Sequence, residues 1–240
     1  MSPKGPLVTD RSLLKRLNEL APMNSPRLFE QVLELLKKGV EFVPEKREEY
    51  AEAGTFDFFW EIISIHRDFY KLNPFGDLFG EYLQEYGNLN SRAGQFFTPT
   101  PLTQMMTEVL RPSTEEFQRI QDPASGTGRF MLSTAKYYHD SGKGYNFIFT
   151  NIDIDRRMWA FTTLNAILHD IPSINIHGNT ISLEYWGVYV VVPSNTGIGR
   201  WFEVDPEKML DRHKRMYQEK REPVGMERYM QQVVSGGDGC

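Results

Sequence analysis

Apolar residues return at helical spacing through the first third of the chain. In SPRLFEQVLELLKKG, Leu28, Val32, Leu35 and Leu36 fall on one face, Ser25 can cap, Pro26 suits the first helical position and Gly39 can close the helix. The aromatic-rich FDFFWEIISIHRDFYKL predicts a helix buried in a bundle core, and DLFGEYLQEYG a shorter one ending at Gly87. NLNSRAGQFFTPTPL, with Pro99 and Pro101, breaks the period and reads as a loop. Pro101 then starts a helix through LTQMMTEVLR, whose apolar side carries Leu102, Met105, Met106 and Val109.

Beyond this point the period changes. RIQDPAS ends a short strand-like run, Arg129 to His139 is helix-like, and YNFIFTNIDID is an apolar strand with carboxylates at its end. RRMWAFTTLNAILHD follows as a helix, SINIHGN as a short strand and WGVYVVVP as another. Such alternation predicts an α/β fold, a parallel sheet flanked by helices. The tail turns helical again in DPEKMLDRHKRMYQEKREP and GMERYMQQVV and ends in SGGDGC. Lys208, Arg212, His213, Lys214 and Arg215 alternate there with Asp205, Glu207, Asp211 and Glu219, a solvated mixed-charge face rather than a nucleic-acid stripe. The expected organisation is a helical N-terminal segment over 1–90, an α/β domain over 91–204, and a C-terminal helix with a flexible tail over 205–240.

Composition narrows the chemistry. Hydrophobic residues make up 40% and charged residues 25%, as in a soluble globular protein. The net charge of −5 carries no global basic signature, so nucleic-acid contact must come from a local patch or a partner. The one cysteine, Cys240, rules out a disulfide within the chain, and the five histidines show no ligand spacing, so no metal is expected. No apolar run approaches the roughly 20 residues that span a bilayer, and MSPKGPLVTD does not read as a signal peptide. A cytoplasmic protein with no membrane contact is the expectation.

Two stretches carry candidate chemistry. In QDPASGTGRF, Asp122 sits at a strand end, Gly126 and Gly128 permit tight turns and close backbone approach, and the following helix offers free N–H groups. In open α/β sheets, ligands bind beyond the carboxyl ends of the strands, where such loops converge. In NIDID, Asp153 ends the next strand, where a carboxylate can accept two hydrogen bonds from a ribose diol. Asp155 suits the N-cap of the following helix and leaves Asp153 for a ligand.

GQFFTP, DPASGTGRF, NIDID, LNAILHDI and HGNTIS occur in the order and spacing of the N6-adenine DNA methyltransferases. The pattern is most similar to the modification subunit of type I restriction–modification systems, whose motifs look like GQF(Y/F)TP, DPACGTGGF, a (G/N)xDID strand end and GD(T/S)L. The resemblance runs from about Asn73 to Ser182. It implies a Rossmann-like S-adenosylmethionine-dependent methyltransferase fold, here shortened and preceded by the helical segment, that transfers a methyl group to DNA adenine. Gln95, Phe96, Phe97, Thr98, Pro99 and Thr100 match the loop over the methionine end of S-adenosylmethionine. Asp122, Ala124, Ser125, Gly126, Thr127, Gly128 and Arg129 match the glycine-rich cofactor loop, and Asp153 the acid that holds the ribose. Asn179 stands where the family often has an aspartate that accepts a hydrogen bond from the cofactor's adenine amino group. Ser125 replaces the usual cysteine, and Arg129 a glycine. DNA and a separate specificity or partner subunit are the implied partners.

The family's acceptor loop, (N/D)PP(Y/F), is missing. Aligned by position, with GVYVVV as the fourth strand, Val192–Pro193–Ser194–Asn195 replaces it. Valine offers no acceptor and Asn195 no stacking platform, so no catalytic residue is assigned. The residues after Asn195 look helical, so the later half of the sheet and a DNA-reading module are expected to be truncated or replaced. Three readings stay open: a methyltransferase that is active or activated by a partner, a non-catalytic cofactor-binding or regulatory/interaction module derived from one, and a structural or interaction protein with no ligand, against which the intact DPASGTG argues.

Overall fold

Phe147 to Asp153 form a strand in which every residue but the last is buried, and the α/β part of the chain is built around it. The computed structural model describes residues 9–20, 27–40, 55–86, 98–194 and 196–218. They fall in two compact units, Met1–Phe97 and Thr98–Cys240.

The described part of the first unit is helical: α1 (Asp10–Leu20), α2 (Arg27–Val40), α3 (Thr55–Leu72) and α4 (Leu78–Tyr86). Thr9 and Ser12 cap α1 reciprocally, each hydroxyl accepting the other's backbone N–H. Leu13, Leu14 and Leu17 of α1 are buried, as are Val32, Leu35 and Leu36 of α2 and Ile62, Ile65 and Phe69 of α3, so the helical periodicity read from the sequence is the packing face. Helix α2 runs one residue past Gly39. Arg16 ties α1 to α3 through Glu61 at 2.6 Å and Asp68 at 3.7 Å.

The second unit opens with α5 (Thr100–Leu110), which has Pro99 at its N-cap. It continues through β1 (Gln118–Asp122), α6 (Arg129–Asp140), β2 (Phe147–Asp153), α7 (Arg156–Leu168), β3 (Ser173–Asn179), β4 (Glu184–Val192), β5 (Arg200–Glu203) and α8 (Pro206–Gln218). The five-stranded sheet has the order β1-β2-β3-β4-β5, with β1, β2 and β3 parallel. Because strand side chains alternate, Phe147 and Phe149 meet Tyr138 and Phe130 of α6 on one face. Ile148 and Ile152 pack on the other face with Ile174, Ile176, Val188, Val190 and Met209 of α8. Trp159 of α7 stacks on His177 and Tyr189, and its indole N–H donates to the Asn175 carbonyl at 2.9 Å.

The structure corrects the sequence expectation in three places. The sheet is mixed rather than parallel, because β4 and β5 add antiparallel after a tight turn from β3. That turn needs close backbone approach at Gly178, where a Cβ would lie 2.5 Å from the Glu184 carbonyl. GVYVVV is the fourth strand in chain order, but it runs antiparallel to β3: Val191 pairs with Ser173, at the amino end of β3. Val192, Pro193 and Ser194 therefore leave the sheet at the end opposite Asp122 and Asp153, and they are not the acceptor loop displaced; Asn195 lies outside the described residues. On α5 the expected apolar face is exposed, whereas Thr103 and Thr107 are buried, with the Thr103 hydroxyl 2.7 Å from that of Ser133 on α6. Strand β5 had no separate sequence signal.

Ile176→Ala empties a fully buried position and is expected to cost about 2–5 kcal/mol. Ile181→Ala, at a site 97% exposed, is expected to stay within about 0.5 kcal/mol of the unmodified protein. Urea titration of both variants, followed by tryptophan fluorescence, checks the contrast.

Candidate functional site

Parallel strands deliver their carboxyl ends to one edge of the sheet, and β1 and β2 do so with Asp122 and Asp153. The glycine-rich loop bridges them. Asp122 Oδ1 accepts the Ala124 N–H at 3.1 Å, an Asx turn that redirects the chain out of β1. The Ser125 N–H then donates to the Ile152 carbonyl at 3.0 Å, and the Gly128 N–H to the Ser125 carbonyl at 2.8 Å. Gly126 and Gly128 have φ of +55° and +90°, a backbone that side chains other than glycine rarely adopt.

Asp153 is the hub. Its Oδ2 accepts the Gly126 N–H at 2.8 Å, and its Oδ1 the Asp155 N–H at 2.8 Å. Asp155 is the N-cap of α7, as expected, accepting the Arg157 N–H at 2.8 Å. Asp153 is therefore not free, although a carboxylate has about four acceptor sites and these two bonds leave two open. Burial pushes the Asp153 carboxyl above the usual aspartate range; the two N–H bonds oppose that shift, and the Asp155 and Asp122 charges add to it. Burial raises Asp122 as well, opposed by the Ala124 N–H.

Several residues that the motifs did not single out hold the loop from behind. The Thr162 hydroxyl donates to the Gly126 carbonyl, and Asn165 Nδ2 to the Thr127 carbonyl at 2.8 Å. Both lie on α7, and Asn165 belongs to the LNAILHDI stretch, so its signal was present without a role. The Thr180 hydroxyl donates to the Pro123 carbonyl at 2.8 Å, tying the β3–β4 turn to the loop. Arg129, buried at the start of α6, donates to the Thr98 carbonyl at 3.3 Å. That bond brings Thr98, Pro99 and Thr100 to the glycine loop, whereas Gln95, Phe96 and Phe97 lie outside the described residues. Asn179 is placed at the same sheet edge, but its Oδ1 accepts the Ile181 and Ser182 N–H groups at 2.9 and 3.2 Å. The carbonyl expected to face an adenine amino group thus shapes a turn.

Two features of the loop suit a bound molecule. The buried Ser125 hydroxyl has no hydrogen-bond partner among the described residues. A Cβ built on Gly126 would meet none of the described residues within 4 Å, which leaves open space among them over a loop whose backbone is otherwise fixed. Among the described residues no group of three or more His, Cys, Asp or Glu could hold a metal ion, and no helix is long and apolar enough to cross a membrane.

The two acids differ in what their removal does. Asp153→Ala strips two backbone N–H groups of their acceptor and is expected to destabilise the fold by about 1–3 kcal/mol. Asp122 has its carboxyl raised, so the folded chain holds that proton to higher pH than the unfolded chain. Its contribution to stability therefore falls as pH rises from the ordinary value of 3.8 through the raised value. Asp122→Asn removes this penalty, so the variant is expected to gain stability relative to the unmodified protein as pH rises towards 7. Urea midpoints across that range read both effects.

The family described as N-6 DNA Methylase matches residues 71–192, just over half of the chain. The chain is 31% identical to the type I restriction enzyme StySPI methylase subunit of Salmonella potsdam, over 46% of this chain and 23% of that protein. The EcoKI methylase subunit of Escherichia coli K12 gives the same identity and coverage. The MpnII methylase subunit of Mycoplasma pneumoniae is 24% identical, over 52% of this chain and 24% of its own length. The chain thus spans about a quarter of the length of these curated relatives, and the region that matches the family contains the Asp122–Arg129 loop, Asp153 and Asn179. On that match, this chain is a member of the N6-adenine DNA methyltransferase family, akin to type I methylase subunits.

Proposed function

We propose that this chain is the S-adenosylmethionine-binding part of a DNA adenine-N6 methyltransferase and that it is inactive on its own. The observation carrying the reading is the loop held between Asp153 and α7, with an unsatisfied Ser125 hydroxyl and open space above Gly126 at the carboxyl ends of β1 and β2. The parallel β1-α6-β2-α7-β3 run supports a Rossmann-like half-sheet, the setting in which nucleoside ligands lie across strand ends.

In this reading Asp153 uses its two remaining acceptor sites for the ribose hydroxyls. Ser125 and the backbone of Gly126 face the cofactor, and Thr98–Thr100, tethered by Arg129, border its methionine end. Asn179 forms the turn that borders the site rather than serving as a carbonyl acceptor. S-adenosylmethionine supplies an electrophilic methyl sulfonium. What the described residues lack at this sheet edge is a counterpart of the (N/D)PP(Y/F) acceptor loop, because the Val192–Ser194 exit lies at the other end. DNA binding and methyl transfer are then properties of an assembly with a partner subunit. The same absence supports a second reading, a regulatory module that binds the cofactor without any transfer.

Calorimetry of the purified chain with S-adenosylmethionine is expected to show one site. Gly126→Val, which fills the open space and strains a left-handed backbone, should weaken it at least about 10-fold, whereas Lys143→Ala on the surface should not. Absence of binding heat from the folded chain would reject both readings. Incubation of the chain with labelled cofactor and adenine-containing DNA is expected to leave the DNA unlabelled. Incorporation at N6 that disappears in Asp122→Ala would show instead that the chain is complete as an enzyme.

A further inference from the structure

His177 lies beside Asp153 in the sheet. The two are register partners on the parallel strands β3 and β2, so their side chains leave the same face. That face carries a tier of rings. Trp159 of α7 stacks on His177 with ring centroids 5.4 Å apart, and Trp186 of β4 meets the imidazole edge-on at 4.9 Å. Tyr189 backs Trp159 at 5.1 Å, and the Trp159 indole is anchored on the Asn175 carbonyl, two residues before His177. The imidazole is therefore held by one ring from a helix and one from a strand.

What His177 holds in turn is a single peptide. Its ring N–H donates to the Ile154 carbonyl. Burial disfavours the charged imidazole, so at neutral pH the ring is neutral and has one N–H to give. The same peptide unit presents the Asp155 N–H, which donates to Asp153 Oδ1 at 2.8 Å. A peptide is planar, so fixing its carbonyl also fixes the direction of its N–H. The Ile154 side chain is exposed, so its own burial does not hold the peptide. With Oδ2 already taken by the Gly126 N–H, this peptide decides how the Asp153 carboxylate is turned.

We propose that His177 is a positioning residue for the ligand site: through the Ile154–Asp155 peptide it orients the Asp153 carboxylate, and with it the two acceptor sites offered to the ribose of the cofactor. The inference rests on the cofactor-binding reading above and deepens it. HGNTIS then serves the site twice, through the turn at Asn179 and through the acid that His177 aims.

The test separates the hydrogen bond from the ring stack. His177→Phe keeps a ring between Trp159 and Trp186 and removes the donor, whereas His177→Asn and His177→Gln remove the ring and keep an amide N–H near one or other ring nitrogen. In the purified full chain without cofactor, His177→Phe is expected to speed amide exchange at Asp155 by at least about 5-fold. Exchange at buried Phe149, bonded to the Pro172 carbonyl, is expected to stay unchanged. Calorimetry of His177→Phe with S-adenosylmethionine is expected to show affinity weakened roughly 3- to 10-fold, the net worth of one hydrogen bond, and restored to within about 2-fold in the Asn or the Gln variant. If the Phe ring overfills the site, seen as faster exchange at Phe149, His177→Leu takes its place with the same expectations. Unchanged exchange at Asp155 overturns the proposal. So does failure of both amide variants to restore binding, which makes the stack the whole role of His177. An unmodified chain that binds no S-adenosylmethionine rejects the cofactor reading and this inference with it. An unmodified chain that binds, with His177→Phe binding equally well, rejects the inference alone.

Discussion

The Asp153 carboxylate is the fixed point of this half-sheet. One oxygen takes the Gly126 N–H from the loop after β1, and the other takes the Asp155 N–H at the start of α7. Without that acceptor, two part-buried backbone donors at the carboxyl edge of the sheet lose their partner, together at a cost of about 1–3 kcal/mol. Thr162 and Asn165 complete the arrangement by taking up the loop's carbonyls. The glycine loop is thereby spanned by hydrogen bonds from both sides, and its left-handed residues are held in place before any ligand arrives. Such preorganisation lowers the ordering cost of binding.

A buried amide ladder places β3 relative to this point. Asn151 Nδ2 donates to Asn175 Oδ1 at 2.9 Å, and Asn175 Nδ2 to the Ser173 hydroxyl at 3.0 Å. Polar bonds of this kind fix register where apolar contacts would tolerate a slip. Beyond β3 the chain turns back on itself, and the antiparallel hairpin of β4 and β5 closes that side of the sheet under α8. Among the described residues the two edge strands are β1, which pairs only with β2, and β5, which pairs only with β4.

Local sequence signals carried most of the elements. Apolar positions at helical spacing located α2 and α3, Asp155 located the cap of α7, and the continuous apolar run from Phe147 located β2. The loop at Asp122–Arg129 was legible because glycine is what a left-handed backbone requires. Less legible was the side chain that secures it: Arg129 read only as a departure from the family's glycine, yet it is buried and bonded to Thr98. The acid at Asp153 read as free for a ligand, yet it carries two structural bonds. The apolar side of α5 was legible as such, but that it is exposed was not, since periodicity shows that a helix has an apolar face but not what lies against it.

What the sequence determined by itself is the list of parts: the α/β class, the glycine loop, the two acids at strand ends and the family they belong to. Strand order and direction were decided only in three dimensions. A strand reads the same along the chain whether it pairs parallel or antiparallel, to the left or to the right, because its alternation reports faces and not neighbours. GVYVVV therefore looked like the strand that would bring a loop to the cofactor site. The turn through Gly178 sent it the other way, and the Val192–Ser194 segment with it, to the far end of the sheet.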